Sequence, residues 1–164
     1  MKPLDTNRLF LECPYPVRQE GNEYTFRTVF DIVYSVDFKE ESTFSPIPAY
    51  WFDLTNRSQK ASPSDPKVRE TVIRIIVEFF RQNPDIMLYM CDSANDQQAQ
   101  RNRLFLRWFT GTEQSKWFSI KTALVLDEGV ENFIAIIVPR NHPYIDAIME
   151  RFDAEIALFH TNKP

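Results

Sequence analysis

Six consecutive residues, Ile86-Met-Leu-Tyr-Met-Cys91, are apolar at odd and even positions alike. A run this short that is apolar on both alternating faces reads as a strand covered from both sides. A polar turn from Asp92 to Asp96 follows, and then a helical pattern carrying Arg101, Arg103 and Arg107 beside Leu104, Phe105, Trp108 and Phe109. A central strand is thus expected to deliver two carboxylates and three guanidiniums into one small region. It is the one concentration of candidate chemistry in the chain.

The length of 164 residues suits one domain, since a domain of about 150 residues hides roughly 70% of its unfolded surface. Phe, Trp and Tyr make up 14% of the chain, so much of its core is expected to be aromatic. Gly21, Gly111 and Gly129 are the only glycines and stand far apart, which excludes Gly-rich phosphate cradles and with them the familiar nucleotide-binding folds. A net charge of −4 gives no general attraction to nucleic acid, leaving only a local arginine patch to bind it. Cys13 and Cys91 lie in dissimilar settings, one in a Pro-flanked arm and one in an apolar strand. A disulfide framework is therefore not expected. The N-terminus lacks the apolar region of a signal peptide, and no run approaches the ~18 apolar residues of a membrane span. A cytoplasmic protein without a membrane partner is expected.

Residues 1–22 carry Pro3, Pro14 and Pro16 and end at Gly21-Asn22, which predicts an extended arm pinned by Leu9, Phe10 and Leu11. From residue 23 to 160 the pattern predicts a single α+β domain. Tyr24, Phe26 and Thr28 alternate with polar residues, as do Ile32, Tyr34, Val36 and Phe38 after a turn at Val29-Phe30-Asp31. The two runs read as a hairpin with one buried side, Thr25, Arg27, Val33, Ser35 and Asp37 facing the other way. Tyr50 to Thr55 reads as a third strand.

Asp65-Pro66 reads as a helix start, the carboxylate capping free N–H groups and the proline filling the first helical position. Val68, Val72, Ile75, Ile76, Phe79 and Phe80 then recur at spacings of three and four, with Lys67, Glu70, Arg74, Glu78 and Arg81 opposite. Pro84 predicts an end near Asn83. After the arginine helix, Gly111 suits a helix C′ position and Thr112 to Lys116 read as loop. Phe118–Leu126 and Asn132–Val138 predict a second hairpin turned at Asp127-Glu128-Gly129, its nearly all-apolar second strand taking an inner place in the sheet. Asn141-His142-Pro143 opens a final helix with an apolar stripe of Ile145, Ile148, Met149, Phe152, Ile156 and Phe159. The predicted order is β-β-β-α-β-α-β-β-α, a mostly antiparallel sheet with helices packed on it.

Tyr24-x-Phe26-x-Thr28, Tyr34-x-Val36-x-Phe38, the helix from Thr71 to Phe80, and Tyr89-x-Cys91-Asp92 through Arg101-x-Arg103-Leu104-Phe105-x-x-Trp108-Phe109 resemble a group of small uncharacterised bacterial proteins known only as a domain of unknown function. The resemblance covers roughly Tyr24 to Phe159. It implies no activity, and it marks Asp92 to Trp108 as the family's signature.

Asp92, Ser93, Asp96, Arg101, Arg103 and Arg107 form the candidate site. Carboxylates just past an inner strand can hold Mg²⁺, but Ser93 and Asp96 are equally ordinary N-cap residues and Asp92 a partner for Arg101 or Arg103. A third acidic ligand at a recognisable spacing is missing, so no metal and no cofactor are expected. The guanidiniums suit phosphate or an acidic partner, or a solvated face tied by weak ion pairs. Cys91 reads as a buried inert thiol, His142 as a capping or surface residue, and Trp51, Trp108 and Trp117 as core or rim packing, with Trp117 and Phe118, directly after a polar loop, open to exposure. No catalytic residue is assigned. The expected function is a non-catalytic protein-interaction module, part of a bacterial regulatory or defence pair, with a protein partner or a homo-oligomer. The alternative is a phosphate-handling enzyme or RNA-binding factor using the Asp/Arg cluster.

Overall fold

The computed structural model describes residues 1–61, 63–92, 106–107 and 109–161. Its strands are β1 (Arg18–Glu20), β2 (Glu23–Arg27), β3 (Val33–Glu41), β4 (Ala49–Asn56), β5 (Ile86–Asp92), β6 (Phe118–Asp127) and β7 (Val130–Pro139). Its helices are α1 (Thr6–Glu12), α2 (Pro66–Gln82) and α3 (Ile145–Thr161), with a helical turn around Leu106–Arg107 and Phe109–Thr110. The protein is α+β, and the strands follow the order β1-β2-β3-β4-β5-β7-β6 in one mostly antiparallel sheet. From β2 onward the elements come in the predicted sequence. The chain divides into two compact units, Met1–Lys39 with Phe52–Pro84, and Glu40–Trp51 with Asp85–Pro164.

In the first unit the β2–β3 hairpin pairs Tyr24 with Val36 and Phe26 with Tyr34, the register its alternation predicts. The Phe26 and Tyr34 rings stack at 5.4 Å, and Phe38 stacks on Phe79 of α2 at 4.7 Å. One buried side was too few: Thr25 and Ser35, partners across the hairpin, are buried as well. The Thr25 hydroxyl is satisfied there by Glu20 of β1, at 3.3 Å.

Helix α2 starts as its sequence predicts, with Asp65 accepting from the Lys67 N–H and Pro66 at the first position, and ends at Asn83. Val72, Ile75, Ile76 and Phe79 are fully buried, each worth about 1.5–3 kcal/mol of transfer free energy. Glu78 departs from the expected polar face and is 1% exposed. Its carboxylate accepts from Gln82 Nε2 at 2.8 Å, Arg81 Nη1 at 2.7 Å and the Asp5 N–H at 3.3 Å, so the buried charge is met by donors.

Those donors explain the main correction to the predicted arm. Residues 6–12 form α1, capped by Asp5, which accepts from the Arg8 N–H at 3.1 Å. Leu9 is buried as expected, whereas Phe10 and Leu11 are exposed, because two turns of helix can turn only one of the three adjacent residues inward. The Gly21-Asn22 pair ends no arm. It turns β1 back onto β2, with Gly21 at φ +63°, where a glycine costs no Cβ strain.

In the second unit β5 pairs with β7 along its length, from Met87 opposite Ile137 to Asp92 opposite Asn132. β7 lies between β5 and β6, the inner position its apolar run predicts. β6 and β7 are joined by Glu128-Gly129, at φ +50° and +79°, as a type I′ turn requires. Ile86, Leu88, Ile136 and Val138 pack with Ile148 and Phe152 of α3. His142 opens that helix, its Nδ1 accepting from the Tyr144 N–H at 3.1 Å. The expected loop at Thr112–Lys116 is instead mostly a short 3₁₀ helix, Glu113–Trp117, whose first turn closes when Ser115 Oγ donates to the Thr112 carbonyl at 2.7 Å.

Candidate functional site

Of the six residues expected to form a site, Ser93, Asp96, Arg101 and Arg103 lie outside the described residues. The backbone of Asp92 closes β5 opposite Asn132. Arg107 is exposed on a helical turn whose Leu106 and Phe109 are buried, the Phe109 ring 5.8 Å from that of Phe118. The Arg107 carbonyl accepts from the Gly111 N–H at 3.2 Å and from Thr110 Oγ1 at 2.9 Å. Arg107 therefore presents its guanidinium from an anchored helix end.

Elsewhere in the second unit the structure presents two features that the sequence did not single out. The first is a sheet edge. β6 is the last strand, and among the described residues β7 is its strand partner. A type I′ hairpin closes on a pair that exchanges both amide bonds, here Asp127 and Val130. Every second residue repeats that arrangement, so the backbone groups of Val125, Ala123, Lys121 and Ser119 face β7. The bond from the Arg140 N–H to the Trp117 carbonyl, 2.9 Å, continues the same odd-numbered series. Backbone groups at Ile120, Thr122, Leu124 and Leu126 consequently point away from the sheet. At the start of the strand Arg140 Nε covers the Phe118 carbonyl at 3.0 Å. Beyond it Leu124 and Leu126 are 53% and 47% exposed.

The second feature is a cavity of about 240 Å³. Trp51 of β4, Leu88 of β5 and Ile134 of β7 line its sheet side, and Phe152 and Ile156 of α3 lie across from them. The rest of the lining includes three polar residues, Glu41, Thr43 and Glu155. Glu41 Oε1 accepts from Thr43 Oγ1 at 2.9 Å, and Glu155 Oε1 pairs with Arg151 Nη2 at 3.0 Å.

The model of a family described as a family of unknown function, DUF6169, matches residues 64–154, more than half of the chain. This chain belongs to DUF6169. No curated protein and no solved structure matches it. The DUF6169 match opens just before α2 and closes within α3, so it takes in the whole β6–β7 hairpin and the cavity residues Leu88, Val125, Ile134 and Phe152.

Neither feature of this DUF6169 chain left a strong mark on its sequence. Leu124-Val-Leu126 reads as strand whether it is central or terminal, and only pairing across the sheet reveals that it ends one. The cavity draws on residues from 41 to 159, which no local pattern connects. The thiol of Cys13, by contrast, sits in the first unit and is chemically quiet: burial pushes its pKa up to about 11, against a smaller lowering from Arg74.

Proposed function

We propose that this protein is a non-catalytic protein-interaction module that takes up an extended segment of another polypeptide along β6. The observation that supports the reading is the pair Leu124 and Leu126, half exposed at two positions whose backbone groups point outward from the terminal strand. Soluble proteins usually blunt such edges with proline, inward-pointing charge or a covering loop, because a bare edge templates pairing with another chain. β6 has ten residues and no proline. Its one internal charge, Lys121, faces the α3 side and is tied to Asp153 of that helix at 2.5 Å. An added strand would gain main-chain hydrogen bonds at Ile120 through Leu126 and cover both leucines, the mode used in strand-addition recognition.

The test is a photo-crosslinking side chain at Thr122 in cells of the native organism, with mass spectrometry of the adducts and light scattering of the purified protein. One defined adduct, to a partner or to a second copy, is expected, and Leu124→Lys with Leu126→Lys should abolish it at unchanged melting temperature. Adducts indifferent to the two lysines, or none at all from a protein that stays monomeric, would refute the reading.

A further inference from the structure

We propose that the cavity between α3 and the sheet in the second unit is a binding site for a small organic cation, an ammonium group carried by a short arm on one ring system up to the size of indole. The proposal goes beyond strand addition and does not depend on it.

Size sets the first limit. About 240 Å³ falls below the roughly 300–1,000 Å³ of sites for drug-sized ligands, and it suits one ring system with a short side arm. Lining chemistry sets the second. Four aromatic side chains, Phe44, Trp51, Phe152 and Phe159, contribute to the wall, and the negative faces of such rings attract ammonium groups, most strongly where water is excluded. Among the described residues the charged groups in the lining are carboxylates, Glu41 and Glu155, with no Lys or Arg beside them.

Neighbouring cations do not reverse that sign. Arg151 reaches Glu155 from one turn earlier on α3, and Lys121 is held by Asp153. Glu41 has the Thr43 hydroxyl as its partner, a neutral donor that leaves the full negative charge in place. Aromatic walls beside the Glu41 carboxylate select a hydrophobic cation over its neutral or anionic counterpart, since an anion entering here would meet like charge at Glu41 while the Arg151 guanidinium is already taken by Glu155.

Three soluble probes with nearly the same body and different charge separate the terms: tryptamine, tryptophol and indole-3-propionate, titrated against the full chain with ¹³C-methyl NMR of Leu88, Ile134 and Ile156. Tryptamine is expected to bind about tenfold or more tighter than tryptophol, with indole-3-propionate weakest. Glu41→Gln with Glu155→Gln should bring tryptamine to within about threefold of tryptophol while leaving tryptophol binding unchanged. Ile156→Trp, at the partly exposed rim, should block all three. Equal affinities for the three probes, a preference for tryptophol or the anion, or methyl signals that do not move at millimolar tryptamine would each overturn the proposal. Val125 is the cavity's one named wall residue from β6, and none of the variants or probes alters the outward-facing backbone of Ile120 to Leu126, so the strand-addition reading stands or falls separately.

Discussion

Asn83 holds the backbone of Lys2 from both sides: the Lys2 N–H donates to Asn83 Oδ1 at 2.7 Å, and Asn83 Nδ2 donates to the Lys2 carbonyl at 3.0 Å. The same amide also reaches back to the Phe79 carbonyl at 3.3 Å, so one side chain ends α2 and ties down the start of the chain. Leu4 follows suit, its N–H donating to the Tyr24 hydroxyl at 3.2 Å.

Truncating that clamp should loosen the first residues without dissolving α2. Asn83→Ala is expected to cost about 1–3 kcal/mol, two hydrogen bonds of ordinary worth and some exposed helix end, and to lower the melting temperature by several degrees. Hydrogen exchange should show Lys2 and Leu4 losing local protection, with the amides of Ile75 to Phe79 changing by no more than the global loss of stability.

Glu78 makes a sharper test, because its donors differ in exposure. Glu78→Ala strands the Asp5 N–H and removes the partner of Arg81 and Gln82, with an expected loss of about 2–3 kcal/mol in urea unfolding. Arg81→Ala should cost under about 1 kcal/mol, since that guanidinium is half exposed and the carboxylate keeps its other donors.

The Cys13 thiol should report the integrity of the first unit. With its folded pKa pushed up to about 11 from 9.0, the folded state retains a proton that the unfolded state gives up. Its contribution is therefore complete below pH 9 and is lost as pH rises through 11. A loss on the order of 2 kcal/mol over that window is expected from this group. Cys13→Ala should flatten the fall, and Ellman's reagent at pH 8 should modify Cys13 in the native protein only at the rate of local unfolding.

At the β6–β7 turn the strain is purely of the backbone. Nothing lies within 4 Å of a Cβ built on Gly129, so Gly129→Ala should cost about 1–2 kcal/mol through its positive φ alone. Glu128 occupies the left-handed region at φ +50°, a poor place for glutamate, and Glu128→Asn should raise stability by up to about 1 kcal/mol. Thermal unfolding of the two variants decides both signs.

Much of this architecture was legible because its causes are local. Asp65-Pro66 and the spacing from Val72 to Phe79 specify α2, and alternation through Tyr24, Phe26, Tyr34 and Val36 specifies the first hairpin and its register. Glu128-Gly129 marks the second turn. The first residues were misread for the opposite reason. Two turns of helix at Thr6–Glu12 are too few to stand alone, and they persist where Glu78, some seventy residues on, accepts from Asp5. The polar spacing that placed Glu78 outside could not register donors arriving from another segment. Within the expected Asp/Arg site, the apolar neighbours of Arg107 were read in part: Phe109 is buried as its pattern suggests, and Leu106 joins it.

From β2 onward the sequence by itself determined the main strands and helices and their order, because capping, turn chemistry and hydrophobic period act over a few residues. Only the tertiary structure decided that β6 is the terminal strand and that its Leu124 and Leu126 are half exposed, and that Phe44, Trp51, Phe152 and two glutamates line one cavity. Strand order and cavity walls are set by pairings between residues tens of positions apart, and such pairings leave no periodic trace along the chain.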